Sequence, residues 1–323
     1  MKVLISTGTK NIPLDISNQL SEYAKVEYTG HPYHGKLGDV GAVLVGTEQV
    51  DSEYLDQAPH LKLVARFGVG YDSVDVGECT RRGVMVTHTP DVLSSGVADH
   101  TWALILGYNR HIPLADTYAK MKWGRGEGGF PFGWDTEGKT LGILGLGRIG
   151  SEVLKRASGF PVKHLYHDVV RKTGLEQEYG VEYVEFDELL ARSDILTIHV
   201  DLNPSTRGLM DSEALGKMKP TAHIVNTSRG SVIDEGALYN ALKKGEIAGA
   251  ALDVFETEPS PASNPLFTLP NVLATPHCAS ATWETRRKMA NRSVGNVLAY
   301  LRGEIPPHIV PEQKDLDFPL FTG

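Results

Sequence analysis

The sequence predicts an α/β protein made of two doubly wound, parallel-sheet domains, and three observations carry that prediction. Short apolar runs without polar alternation recur along the chain, each followed by a stretch able to form a helix. Runs of this kind read as strands buried on both faces, which implies parallel sheets covered by helices. The rhythm breaks near Ser94 and resumes near Lys139. The length, 323 residues, is about twice that of a typical single domain.

Taken in order, KVLIS (2–6), AVLVG (42–46), LKLVAR (61–66) and VMVTH (84–88) are the strands expected in the first third. Helix-start signals stand at Asp51-Ser52, before EYLDQ, and at Asp72-Ser73, before VDVGECTRRG. From 94 to 110 the apolar spacing is helical and long, as for a buried element linking two domains. The glycine-rich stretch 123–138 is expected to be irregular and superficial. The second alternation comprises KTLGILG (139–145), VKHLYHD (162–168), VEYVEF (181–186), DILTIHV (194–200), HIVNTS (223–228) and AGAALDV (248–254), with a further strand in NVLATPHCAS. A last helix spans about 282–302, and its period does not say on which domain it packs. Pro306, Pro307 and Pro311 predict an extended, peripheral tail. A nucleotide-type fold thus occupies 96–281, and the first 95 residues form a separate α/β unit.

Composition narrows the function classes. The chain is 41% hydrophobic and 22% charged, with a formal net charge of −8; a nucleic-acid binder usually carries a basic face. No apolar run reaches the roughly 18 residues of a membrane span, and MKVLISTGTK turns polar too soon for a signal peptide. Cys79 and Cys278 lie far apart and outside any CxxC pattern, which suits a reducing cytoplasm.

Gly145-Leu146-Gly147-Arg148-Ile149-Gly150 is a GxGxxG. Three spaced glycines are weak evidence in a chain with 34 of them, but here a strand precedes them and a helix follows. Gly145 permits the tight turn, Gly147 lets backbone approach a pyrophosphate, and Gly150 lets helix and strand pack closely. The next strand ends in Asp168, eighteen residues beyond Gly150, where an acid bonds the ribose 2′-hydroxyl. Its charge repels a 2′-phosphate, so NAD is expected over NADP; Arg171 and Lys172 nearby would soften that preference.

Ligands in open α/β sheets bind beyond the carboxyl ends of strands. Arg229, Glu258 and His277 arrive at neighbouring strand ends. Alcohol oxidation needs a base for the hydroxyl proton and the reverse reaction an acid, and histidine serves as both. A carboxylate behind it fixes the tautomer and favours the imidazolium, and a guanidinium grips a substrate carboxylate. Each also has a plain structural reading: a satisfied loop histidine, a solvated turn glutamate, a salt-bridged arginine. Spacing alone leaves the two readings level.

Nearly the whole chain resembles the D-isomer-specific 2-hydroxyacid dehydrogenases, through ARFGVGYDSVD (65–75), GKTLGILGLGRIG (138–150), HVDLNPSTRGLM (199–210), NTSRGSVIDEGAL (226–238), LDVFETEP (252–259) and TPHCASAT (275–282). The resemblance implies a hydride transfer between NAD(H) and a small D-2-hydroxy or 2-keto acid, with Arg229, Glu258 and His277 as the catalytic trio. It implies cofactor contacts at Val69, Arg148, Ile149, Asp168, Val200, Thr227 and Asp253, beside the glycines of the fingerprint. It implies substrate-carboxylate binding by backbone N–H groups of the loop Phe67-Gly68-Val69-Gly70, with Val69, Gly70 and Arg229 as substrate residues. It also implies a flavodoxin-like substrate domain (1–95 plus 282–323), a central Rossmann-type NAD domain (96–281) and a homodimer through the latter. Two departures stand out: Asp99, where the family more often has Glu, and Cys278, where an aliphatic residue is usual.

His31-x-x-His34 and His164-x-x-His167 are not expected to bind metal, because residues three apart on a strand face opposite ways. His199, at a strand end, is expected to line the site without taking part. Arg66, Tyr71, His100 and Trp134 are candidate pocket residues. The competing readings are an NAD-sensing, corepressor-like binding protein and a phosphite- or formate-type dehydrogenase. Formate enzymes of the family carry glutamine in place of Glu258.

Overall fold

The computed structural model describes residues 1–6, 12–29, 37–125 and 128–322, so His31 and His34 lie outside the described residues. The chain forms two compact units, Met1–Leu93 with Ala281–Gly323, and Ser94–Ser280.

The first unit holds five strands: β1 (Lys2–Ile5), β2 (Lys25–Tyr28), β3 (Val40–Val45), β4 (Leu63–Arg66) and β5 (Met85–Thr87). All pairings are parallel and the order is β2-β1-β3-β4-β5, a doubly wound order with its switch point between β1 and β3. Every residue of β3, β4 and β5 is buried, as expected of largely apolar strands without polar alternation. The edge strand β2 (KVEY) is half-exposed, and Lys2 and Lys25 both pair with Glu27 on it.

The helix Ser52–Gln57 starts where expected, with Asp51 accepting from the Tyr54 N–H at 3.0 Å. The next helix, Val76–Arg81, is capped by Asp75, which accepts from Glu78 N at 2.8 Å, not by Asp72-Ser73. The cause is a bridge between Val50 and Val74. Val50 N donates to Ser73 O and Asp75 N donates to Val50 O, while Val74 N donates to Tyr71 O, so Asp72 and Ser73 form a turn and the helix starts only after Asp75.

The long helix Trp283–Leu301, capped by Thr282, packs in this unit against β4 and the short helix Leu14–Ser17. The tail after it is not peripheral. Ile309 bridges Thr87, and Val310 N donates to Val86 O. Gln313 is fully buried; its Oε1 accepts from Val86 N at 2.7 Å, and its Nε2 donates to Thr80 Oγ1 and Val84 O. The prolines keep the tail extended, and extended backbone satisfies the open edge of β5.

The second unit holds β6 (Thr140–Leu144), β7 (Lys163–His167), β8 (Glu182–Tyr183), β9 (Ile195–Ile198), β10 (His223–Asn226), β11 (Gly249–Leu252) and β12 (Val272–Ala274). The sheet is parallel throughout, in the order β12-β11-β10-β9-β6-β7-β8. Counted within the unit, that is the 3-2-1-4-5-6 winding of dinucleotide folds with one added strand. The helix Ser94–Asn109 belongs to one apolar cluster with Val153 and Leu154 of the helix Arg148–Ala157. A second cluster gathers Leu189, Leu215, Leu238 and their neighbours. The helix Ile112–Met121, which the sequence leaves unassigned, buries no residue. Among the described residues no helix is long and apolar enough to cross a membrane.

Candidate active site

The fingerprint glycines sit at the carboxyl end of β6, and each answers to a different constraint. Gly145 has φ +90°, and a Cβ there would lie 2.9 Å from the His199 carbonyl carbon and Val200 Cγ1. A Cβ on Gly150 would stand 2.1 Å from Gly145 O, so only glycine lets the helix approach the strand. A Cβ on Gly147 would meet no atom within 4 Å. Packing does not require that glycine. It leaves a cradle in front of the N-terminus of the helix Arg148–Ala157, where exposed N–H groups favour a phosphate. Arg148 is exposed there and Ile149 half-buried.

Asp168 follows β7. Its Oδ2 accepts from Leu146 N at 2.7 Å and its Oδ1 from Val170 N at 2.9 Å, so the acid braces the glycine loop that it also faces. Arg171 is held by Glu176 through Nε and Nη2, both at 2.9 Å, which ties up the guanidinium expected to offset Asp168.

Arg229, Glu258 and His277 follow β10, β11 and β12, three adjacent strands. His277 Nδ1 and Glu258 Oε2 are 2.6 Å apart, with side chains 34% and 27% exposed. Glu258 Oε1 accepts from Phe255 N at 3.0 Å, which orients the carboxylate. His277 has φ 50°, a left-handed conformation that bulky residues rarely adopt. Its N–H donates to Asp253 O at 2.8 Å, turning the chain back toward β11. Half-buried Arg229 is set by Asn226, fully buried, whose Nδ2 donates to Arg229 O and whose Oδ1 accepts from Ser228 N. A Cβ on Gly230 would be 1.9 Å from the Phe255 carbonyl carbon, so this glycine lets the loops after β10 and β11 touch. Asn226 and Gly230 are not singled out in the sequence, where Asn226 falls within the expected strand HIVNTS.

Asp253, at the end of β11, is fully buried. It accepts from Thr275 Oγ1, Cys278 N and Ala279 N, and His100 Nε2 lies 3.4 Å away. Burial pushes its pKa up, but the bonds from His100, Thr275 and the two amides outweigh this and hold the carboxyl at about 2. The Cys278 thiol is pushed up by burial and by the Asp253 charge. Thr227 is buried, with its hydroxyl 3.0 Å from Thr101 Oγ1. Val200 is half-buried beside Gly145. Burial pushes the His199 ring down to about 3; its Nε2 bonds Thr197 Oγ1 at 2.8 Å. His167 Nδ1 is bonded to Val184 O, and burial lowers the pKa of His164. Val69 and Gly70 lie in the first unit just beyond β4, both half-buried, with Val69 O 2.9 Å from His88 Nδ1.

Residues 102–279 match the model of the D-isomer specific 2-hydroxyacid dehydrogenase family, NAD binding domain. A glyoxylate reductase of Korarchaeum cryptofilum is 47% identical over 272 residues, 83% of this chain and 81% of that one. Among solved structures, the NADPH-dependent glyoxylate/hydroxypyruvate reductase of Sinorhizobium meliloti, in complex with NADP and malonate, superposes with a TM-score of 0.86 at 33% identity, covering 96% of this chain and 97% of that one. The D-lactate dehydrogenase of Aquifex aeolicus, complexed with NAD and lactic acid, gives 0.84 at 29% identity, covering 95% and 98%. The fingerprint, the acid after β7 and these likenesses agree: the chain belongs to the D-isomer specific 2-hydroxyacid dehydrogenases, enzymes that pass a hydride between a nicotinamide dinucleotide and a 2-hydroxy or 2-keto acid.

Proposed function

We propose that this chain reduces a small 2-keto acid of the glyoxylate or hydroxypyruvate type, with NADH preferred over NADPH. The observation that carries the reading is the 2.6 Å contact between His277 and Glu258 at adjacent strand ends. The names of its relatives supply the substrate class.

The dinucleotide fits the residues present. Gly145, Gly147 and Gly150 with the Arg148 and Ile149 amides take the pyrophosphate, Asp168 the ribose, and Val200, Thr227 and Asp253 the nicotinamide half. When bound, NADH supplies the hydride. Glu258 accepts a hydrogen bond from the Nδ1–H of His277 and so leaves the other proton of the imidazolium on Nε2. His277 delivers that proton to the substrate's carbonyl oxygen as negative charge develops there, and in oxidation the neutral ring takes it back. Arg229 holds the substrate carboxylate with its planar fork and polarises the carbonyl.

The same reading includes a homodimer through the second unit. Ile112, Leu114, Met121, Trp123 and Phe132 leave much of their apolar surface exposed, Phe132 at 97%, more than a monomer usually presents in one stretch. A cytoplasmic location belongs to it too, since Cys79 and Cys278 are free thiols.

A panel of 2-keto acids run with NADH and with NADPH tests the reading. Turnover within the usual enzyme range of about 1–10³ s⁻¹ on glyoxylate or hydroxypyruvate with NADH is expected. Turnover below that range on every acid, with NADH still bound, would favour an NAD-sensing binding protein. Sedimentation at assay concentration tests the dimer.

A further inference from the structure

Beside the proton-transfer pair, three side chains with metal-ligand chemistry converge from three parts of the second unit. His100 comes from the helix Ser94–Asn109, Asp253 from the end of β11 and Cys278 from the loop after β12. Their ligand atoms all lie within 4.8 Å of one another. His100 Nε2 is 3.4 Å from Asp253 Oδ1 and 4.0 Å from Cys278 Sγ. A tetrahedral zinc ion bound through nitrogen, oxygen and sulfur sets edges of about 3.3 Å for N···O and about 3.6 Å for S···N. The first edge is already in place. The second needs an approach of about half an ångström, which rotation of a side chain with one torsion provides.

The donor set chooses the ion. A thiolate, an imidazole and a carboxylate suit a borderline-soft cation, whereas Mg²⁺ and Ca²⁺ take oxygen ligands. The surroundings suit a ligand site as well. The carboxylate of Asp253 is held by the Cys278 and Ala279 amides and the Thr275 hydroxyl, as metal-bound carboxylates are. His100 keeps 21% of its side chain exposed and Cys278 is half-buried, so the cluster can be approached from solvent.

We propose that His100, Asp253 and Cys278 form a site for one borderline-soft divalent cation, Zn²⁺ by its donor set, whose occupation blocks the nicotinamide end of the cofactor site. The thiol proton leaves to solvent on binding. The blocking half rests on the proposed cofactor role of Asp253; the site itself does not.

Co²⁺ added to the full-length, chelator-stripped protein is the probe, because a thiolate ligand announces itself by a near-ultraviolet charge-transfer band. One Co²⁺ per chain with that band is expected, together with loss of the band in Cys278→Ser. Zn²⁺ affinity, measured against a chromophoric chelator, should fall about tenfold or more in both Cys278→Ser and His100→Gln. No charge-transfer band, a band that survives Cys278→Ser, or unchanged Zn²⁺ affinity in both variants would overturn the site. NADH should displace the cobalt bands. Bands that persist while NADH binds would overturn the blocking half and the cofactor role of Asp253 together, and leave the metal site standing.

Discussion

Replacing Glu258 with glutamine keeps the outline of the side chain and an oxygen for the Phe255 amide, but withdraws the charge that faces His277. A hydrogen bond to a charged group contributes about 1.5–3 kcal/mol net. Both side chains keep roughly a third of their surface in water, which places this one at about 1.5–2 kcal/mol. At 1.36 kcal/mol per decade, kcat/KM for keto-acid reduction should fall about 10- to 30-fold. Oxidation of the hydroxy acid should fall by the same factor, since a catalyst cannot move an equilibrium and NADH affinity should be untouched. His277→Ala sets the ceiling, at about 10²–10⁴-fold. The assay is initial rates followed by NADH absorbance in both directions, for the two single variants and the double variant. Because Glu258 acts through His277, the double variant should be no slower than His277→Ala alone. A further tenfold loss in the double variant would refute the pairing, even with both residues essential.

Asp168→Asn retains an acceptor for the Leu146 amide while removing the charge. Like charges a few ångströms apart near a surface cost on the order of 1–4 kcal/mol, so the NADPH-to-NADH ratio of kcat/KM should rise at least about fivefold; a wild-type protein that prefers NADPH would contradict the reading of Asp168. Arg229→Lys keeps the charge and loses the fork, and should cost about 30-fold or more in kcat/KM with NADH affinity nearly intact. Equal weakening of NADH in a fluorescence titration would instead put Arg229 in the cofactor site. Acid should destabilise the second unit early. Burial pushes His223 down to about 3, while in the unfolded chain it titrates near 6.5. Between those values the folded protein binds fewer protons, so stability is full above about pH 6.5 and is lost as pH falls, by about 1.4 kcal/mol per unit for this group. His199 acts in the same direction. Urea melts from neutral pH to pH values near 4 should show the decline, a His223→Gln variant should show a shallower one, and a flat profile would contradict the burial argument.

The buried strands were legible because each lies under helices on both faces and therefore carries no polar alternation. The elements that escaped lack that signature. The strand β2 is a half-exposed edge whose charges pair along it, and the helix Ile112–Met121 has no buried residue and so no core-facing period. The cap at Asp75 lies three residues beyond Asp72 because the Val50–Val74 bridge is a contact across sequence that local spacing cannot carry. The docking of the tail is hidden from local spacing for the same reason, since what buries Gln313 is the open edge of β5. At the site, strand ends and residue types pointed to Arg229, Glu258 and His277, but only the fold brings Glu258 to His277. Asn226 and Gly230 owe their roles to an approach of two loops that no motif spells out.

The first unit is assembled from both ends of the chain, with the helix Trp283–Leu301 against β4 and Gln313 against the edge of β5. The second unit is one continuous stretch, Ser94–Ser280. During synthesis the nascent chain therefore carries a complete nucleotide-fold sequence out of the ribosome while the earlier strands still wait for partners not yet translated. The β4 segment, LVAR, is the apolar surface that lacks its covering helix during that wait. Slowing translation of the last forty or so codons would prolong that exposure, and a chain released before Gln313 would leave the edge of β5 without its side-chain cap.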